Sequence, residues 1–281
     1  MKLGIFAKTF DGTDPQTALK AVAGAGFACA QYNMACSGLP PMPDEISDAQ
    51  ARSVADAAAS TGVEIVAVSG TYNMIHPDLA VRRAGHRRLA VLAERCAAMS
   101  TGLITLCTGT RDPVDQWKEH PDNNSPEAWR DLLEAMETAI GIADRYDVDL
   151  GIEPELANVV NSAGAARRLI DELKSPRLKI VMDPANLFEV ATVEEQRTIV
   201  SSAIDLLADR IVMAHAKDRT IDGRFATAGK GVLDYTHYLR KLASVGFSGS
   251  LITHGLSASE AEGVATFLGS RLQSTVGAAN E

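Results

Sequence analysis

DLGIEPE at 149–155, LKIVMD at 178–183 and RIVMAHAKD at 210–218 are three apolar runs of strand length, and each closes on ionisable residues. Short apolar runs without polar alternation read as strands buried on both faces, the condition of a parallel sheet. Outward from them the same kind of run recurs as LGIFA at 3–7, ACAQYNM at 28–34, VEIVAVSG at 63–70, LITLCTG at 103–109 and SLITHG at 250–255, which makes eight. The segments between them have helical spacing and few breakers, among them PQTALKAVAGAG, DAQARSVADAAASTG, the 78–99 stretch, PEAWRDLLEAMETAIGIADRY and SAGAARRLIDEL. Gly26, Gly62 and Gly246 stand where helical patterns end and strand entries begin. Eight alternations of strand and helix predict one α/β domain over 1–281, a closed (β/α)8 barrel, with a doubly wound open sheet as the rival arrangement.

The bulk numbers narrow the function classes. A chain of 281 residues with 46% hydrophobic content can bury a large core. Its formal net charge of −9 disfavours duplex nucleic acid and anionic membranes as partners. Cys29, Cys36, Cys96 and Cys107 are scattered without a CxxC pair, which reads as buried reduced thiols and not as a zinc ribbon or a disulfide scaffold. The opening MKLGIFAKTFDGTD has too short an apolar run for a signal peptide, and no stretch approaches a membrane span. A cytoplasmic protein is expected, and a homo-oligomer is compatible with everything in the sequence.

Four polar stations close the last four runs: Glu153, Asp183, His215 and His254. At neighbouring strand ends of a barrel, two carboxylates and two imidazoles can gather around one divalent metal. Asp183 precedes a proline and follows an apolar run, so its backbone is extended and its buried carboxylate requires a cation or donors. Glu155 shares the inward face with Glu153 if the strand persists across Pro154, and is a surface loop residue if it does not. Asn186 reads either as a hydrogen-bond donor to substrate or carboxylate or as a helix cap.

Other candidates lie around these. His215 and Lys217 share one strand face, and Lys217, Arg219 and Arg224 form a basic cluster beside AGKGVLDY, where barrels often seat an anion. The two glycines of GKG are too few for a phosphate loop. Gln31 and Asn33 end the second run and are candidates for sugar hydroxyls. His76, after the third run, either reaches over the mouth or closes a His-Pro turn. The irregular stretch GTRDPVDQWKEHPDNNSP at 109–126 follows a strand and so belongs at the functional end.

IEP at 152–154, MDPANL at 182–187, HAKD at 215–218 and GKGVLD at 229–234, in this order at strand ends, resemble the xylose-isomerase-like TIM barrel superfamily, in its sugar-phosphate isomerase/epimerase branch. The resemblance spans essentially the full length. It implies one divalent ion, commonly manganese, magnesium, cobalt or zinc, held at the ends of strands five to eight, with Glu153, Asp183 and His215 at three ligand positions. Where the family usually carries a second glutamate this chain has His254, and where it often carries a histidine this chain has Asn186. A metal-bound imidazole has committed its lone pair, so His254 cannot replace the second base of a two-base epimerase. Two carboxylates and two neutral histidines lower the ligand charge from −3 to −2, which favours zinc, manganese, cobalt or iron over magnesium.

The resemblance therefore implies a divalent-metal-dependent isomerase or epimerase. It would act on a small sugar, sugar phosphate or polyol derivative by proton abstraction beside a metal-polarised carbonyl. Glu153, Glu155 and His76 are the candidate catalytic groups, and Gln31, Asn33, Asn186, Lys217 and Arg219 the candidate substrate contacts. A metal-dependent lyase or hydrolase and a catalytically silent carbohydrate-binding barrel are the alternatives. The superfamily's apurinic endonucleases need up to three zinc ions and a basic face, which this chain lacks.

Overall fold

The eight apolar runs form eight parallel strands: β1 Lys2–Phe6, β2 Cys29–Tyr32, β3 Glu64–Ser69, β4 Leu103–Leu106, β5 Asp149–Ile152, β6 Leu178–Met182, β7 Ile211–Ala216 and β8 Ser250–Thr253. The structure, a computed structural model, describes residues 1–277. The strands close into one barrel in the order β1-β8-β7-β6-β5-β4-β3-β2, sealed where Lys2 lies opposite Ser250 and Ile5 opposite Thr253. Closure leaves no edge strand, so the open-sheet rival is excluded.

Eight helices cover the outside: α1 Pro15–Gly24, α2 Asp48–Thr61, α3 Leu79–Cys96, α4 Pro126–Tyr146, α5 Ala163–Leu173, α6 Val193–Leu207, α7 Tyr235–Ser244 and α8 Ala261–Gly277. Their starts follow local chemistry. Asp14 accepts from the Thr17 amide ahead of Pro15, and Ser47 with Gln50 and Thr192 with Glu195 form reciprocal capping boxes, each cap worth about 1 kcal/mol. Gly62 ends α2 with φ +71°, a left-handed conformation that glycine adopts without strain. Helix α4 buries Trp129, Leu132, Met136, Ala139 and Ala143 as one stripe against the barrel. Each large apolar side chain in such a stripe contributes roughly 1.5–3 kcal/mol.

The barrel interior holds a second, smaller apolar layer. Cys29, Ala67, Val181, Met213 and Ile252 pack together, with Leu103 against them. Gly4 and Gly151 belong there too: a Cβ on Gly4 would meet Cys29 and Ile252, and one on Gly151 would meet Val181 and Leu103. Because strand side chains alternate, the next inward position on each strand lies two residues later and opens toward the C-terminal mouth.

The strands from β2 onward are shorter than their apolar runs, and local chemistry sets where two of them end. Strand β2 stops at Tyr32 because the Asn33 side chain accepts from the Ala35 amide at 3.0 Å and starts a 3-10 turn, Met34–Ser37. Strand β7 stops at Ala216, and the chain turns into a two-residue antiparallel ribbon pairing Asp218–Arg219 with Phe225–Ala226. Among the described residues no helix is long and apolar enough to cross a membrane.

Candidate metal centre

The inward positions two residues beyond the apolar layer on β5 to β8 are Glu153, Asp183, His215 and His254, and each offers a ligand atom within 4.8 Å of the others. Asp183 is 1% exposed. Its backbone is extended ahead of Pro184, and one carboxylate oxygen accepts from the Ala185 amide at 2.9 Å. The other oxygen faces His254 Nε2 at 3.0 Å and His215 Nδ1 at 3.8 Å. Glu153 Oε1 accepts from Asn186 Nδ2 at 2.8 Å and faces His215 Nδ1 at 3.3 Å. The Tyr238 hydroxyl, from α7, reaches the carbonyls of Met182 and His215 and ties the ends of β6 and β7 together.

The electrostatics follow from this crowding. Burial alone would push the Asp183 carboxyl up, but hydrogen bonds from His215 and His254 hold it well below the usual carboxylate range. Burial disfavours a charged His215, yet Glu153 and Asp183 overcome it and raise the ring to about 9. Burial and the neighbouring His215 charge depress His254. The buried Asp183 carboxylate therefore stays ionised, with a proton on His215 as counter-charge. A divalent cation fits this donor set: mixed nitrogen and oxygen atoms, converging, with charge −2 once both rings are neutral.

The centre forms part of the wall of a cavity of about 470 Å³ at the barrel mouth. Glu155 lies on that wall although the strand has ended at Ile152, because the loop after β5 folds back through the Glu155 amide to the Val160 carbonyl. Burial first, and Glu153 second, push its carboxyl up to about 7. Asn33 and Lys217 also line the cavity, and the Lys217 ammonium sits over the Phe225 ring. Gln31 lines it too, but its amide is engaged, with Oε1 at 2.9 Å from His215 Nε2 and Nε2 donating to Thr105 Oγ1 at 3.1 Å.

Two candidates sit elsewhere, and a third stands behind the cluster. His76 is not brought to the cluster: its Nδ1 accepts from the Asp78 amide and its Nε2 meets the Pro113 carbonyl, so the ring closes its own turn beside a separate depression. Arg219 is buried against the Ala185 and Gly223 carbonyls under the ribbon and does not line the cavity. Asn186 touches Glu153 and stays behind it, 1% exposed.

The GKGVLD string has a structural explanation. Asp218, 1% exposed, accepts from the amides of Arg219, Gly229, Gly231 and Leu233. The anion filling that nest of amides is the chain's own carboxylate. Lys8, Thr71, Cys107, Gln116 and Trp117 line the cavity without having been singled out as site residues. The signal for three of them was period-two alternation, since Phe6 and Lys8, Ser69 and Thr71, and Thr105 and Cys107 repeat the spacing of Glu153 and Glu155.

No curated protein sequence matches the chain. Among solved structures, 3-keto-D-glucoside 4-epimerase YcjR from E. coli superposes with TM-score 0.77 at 16% identity, covering 96% of this chain and 99% of that one. An L-ribulose 3-epimerase superposes with TM-score 0.78 at 16% identity over 99% and 97%. The IOLI protein, solved with a bound zinc atom, superposes with TM-score 0.73 at 15% identity over 98% and 99%. At such identities these likenesses speak for the fold. The family model described as xylose isomerase-like TIM barrel matches residues 19–266, and the chain belongs to that family.

Proposed function

We propose that this chain is a divalent-metal-dependent sugar isomerase or epimerase, with Glu153, Asp183, His215 and His254 holding the ion. The observation that carries the reading is the convergence of these four donors at one end of a cavity whose wall also presents Glu155. Bound there, the ion would act as a Lewis acid on a substrate carbonyl and acidify the adjacent C–H. Glu153 and Asp183 supply the charge, and Asn186 and the Ala185 amide orient them. Glu155 is the carboxyl outside the donor set. With a proton affinity near neutrality it can take a proton from carbon and return it, efficient work for a group whose pKa lies near the operating pH.

The substrate is a small carbohydrate or polyol derivative. Asn33 and Lys217 offer polar contacts on the cavity wall, with Phe6, Trp117 and Phe225 as apolar surfaces for the faces of a sugar. One carboxyl outside the donor set suits proton transfer on a single face of the substrate, as in aldose-ketose isomerisation. The same observation favours a second reading, elimination by a lyase.

Incubation of the metal-loaded protein with a panel of ketoses and aldoses in deuterated water tests both. Exchange at one carbon with return of a carbohydrate isomer supports the first, and exchange with loss of water from the substrate supports the second. No exchange across the panel, with metal bound, removes both.

A further inference from the structure

We propose that Gln31 is a positioning residue that selects which nitrogen of His215 faces the metal centre. This rests on the reading of the centre as a metal site. The two residues are 184 positions apart in sequence and three strands apart around the barrel, and their side chains meet inside it. Gln31 Oε1 lies 2.9 Å from His215 Nε2, and Gln31 Nε2 donates to Thr105 Oγ1 at 3.1 Å. Gln31, Thr105 and His215 are 7%, 3% and 2% exposed, so bulk water does not compete for these contacts.

A neutral imidazole carries one N–H, and an acceptor held at one nitrogen draws the proton there and leaves the lone pair on the other. With the carbonyl of Gln31 at Nε2, the ring that gives up its extra proton to a metal ion keeps its N–H there and opens its lone pair on Nδ1, the atom that faces Glu153 and Asp183. An amide turned over would donate to Nε2 and force the proton onto Nδ1, closing the ligand position. Thr105 receives the amide N–H and holds the carbonyl toward the ring. A glutamine does this without adding charge, so the donor set stays at −2. Orienting partners of this kind typically govern 10–100-fold in metal affinity.

The local backbone supports the assignment. Register slips between Ala30 and Gln31 on the side facing β3, where Gln31 pairs with Ala67 after Ala30 has paired with Ile65. The extra residue is Val66 on β3, and Gln31 keeps the two-residue alternation from the inward-facing Cys29 that turns its side chain into the barrel.

The test compares wild type with Gln31→Met, which keeps the shape and removes the acceptor, and Gln31→Glu, which keeps the acceptor. Zn2+ affinity is measured by competition with a chelator, and the imidazole N–H of His215 is followed by 15N NMR in the metal-free proteins. Wild type and Gln31→Glu are expected to show a slowly exchanging N–H at Nε2. Gln31→Met is expected to lose that protection and to bind Zn2+ about 10–100-fold more weakly, while Gln31→Glu retains binding. Unchanged Zn2+ affinity in Gln31→Met, or an Nε2 proton equally protected in it, overturns the proposal. If wild type takes up no Zn2+, the metal reading fails, and with it the selection of a ligand nitrogen. The N–H signal then reports separately whether Gln31 holds the ring.

Discussion

At the inward position just above the apolar layer, β5 to β8 carry Glu153, Asp183, His215 and His254, whereas β1 to β4 carry Phe6, Gln31, Ser69 and Thr105. The backbone geometry of the two halves is the same, and the side chains make one half ionisable and the other neutral. The two halves divide the labour. Buried charge is concentrated where four strand ends can pair it, and the neutral half supplies an amide and a hydroxyl that orient a ring without disturbing the charge balance.

Substitutions in the two halves should have unequal effects. Removing a donor from the charged half should have the largest effect: Asp183→Ala is expected to cost more than about 100-fold in metal affinity, beyond the range of outer-shell changes. Elemental analysis after reconstitution reads it, with turnover falling to background. Glu155→Gln is expected to retain metal yet lose about 10²–10⁴-fold in deuterium exchange, the range for a general acid–base group.

His254→Glu makes the charged half more so. It returns the donor set from −2 to −3, and competition titrations should show magnesium gaining on zinc by roughly tenfold, as harder oxygen donors suit magnesium.

The pH dependence of stability sharpens the contrast in the metal-stripped protein. Glu155, at about 7 in the fold against an ordinary 4.5, makes the native state bind more protons than the unfolded chain, so its contribution is lost as pH rises from 4.5 through 7. His215, at about 9 against 6.5, contributes stability that is complete below 6.5 and lost as pH rises through 9. Each loss is about 3 kcal/mol at most. Denaturant titrations across this range should show a decline that Glu155→Gln flattens in its lower limb and added metal reverses. On the neutral side, His76→Ala should cost about 1 kcal/mol of stability for its two loop hydrogen bonds and leave turnover within about twofold.

Much of this molecule was legible because two periodicities coincide in it. Each apolar run of strand length formed a strand, and counting inward positions from Glu153, Asp183, His215 and His254 brings four donors together once the barrel closes. The contact between Gln31 and His215 was not legible, since it depends on which strands face one another across the interior. Lys217 and Arg219 read in sequence as members of one basic cluster, and the fold separates them. The strand ends at Ala216 and the ribbon redirects the chain, which sends Arg219 to the carbonyls beneath it. Of the two readings of His76, the turn is the one its contacts fit, since the Asp78 amide and the Pro113 carbonyl claim both ring nitrogens. The basic cluster beside GKG reads in one dimension as a seat for a foreign anion, and the amides of GKG are already taken by Asp218, eleven residues upstream of Gly229.

The occupied nest sets how this barrel mouth can be redesigned. Four amide dipoles are aimed at one buried carboxylate. Shortening that residue, as in Asp218→Gly, would leave a ready-made receptor beside the cavity without altering a donor of the metal centre. Free phosphate would then stabilise the variant and have no such effect on the parent, turning an internal strut into an adjustable socket.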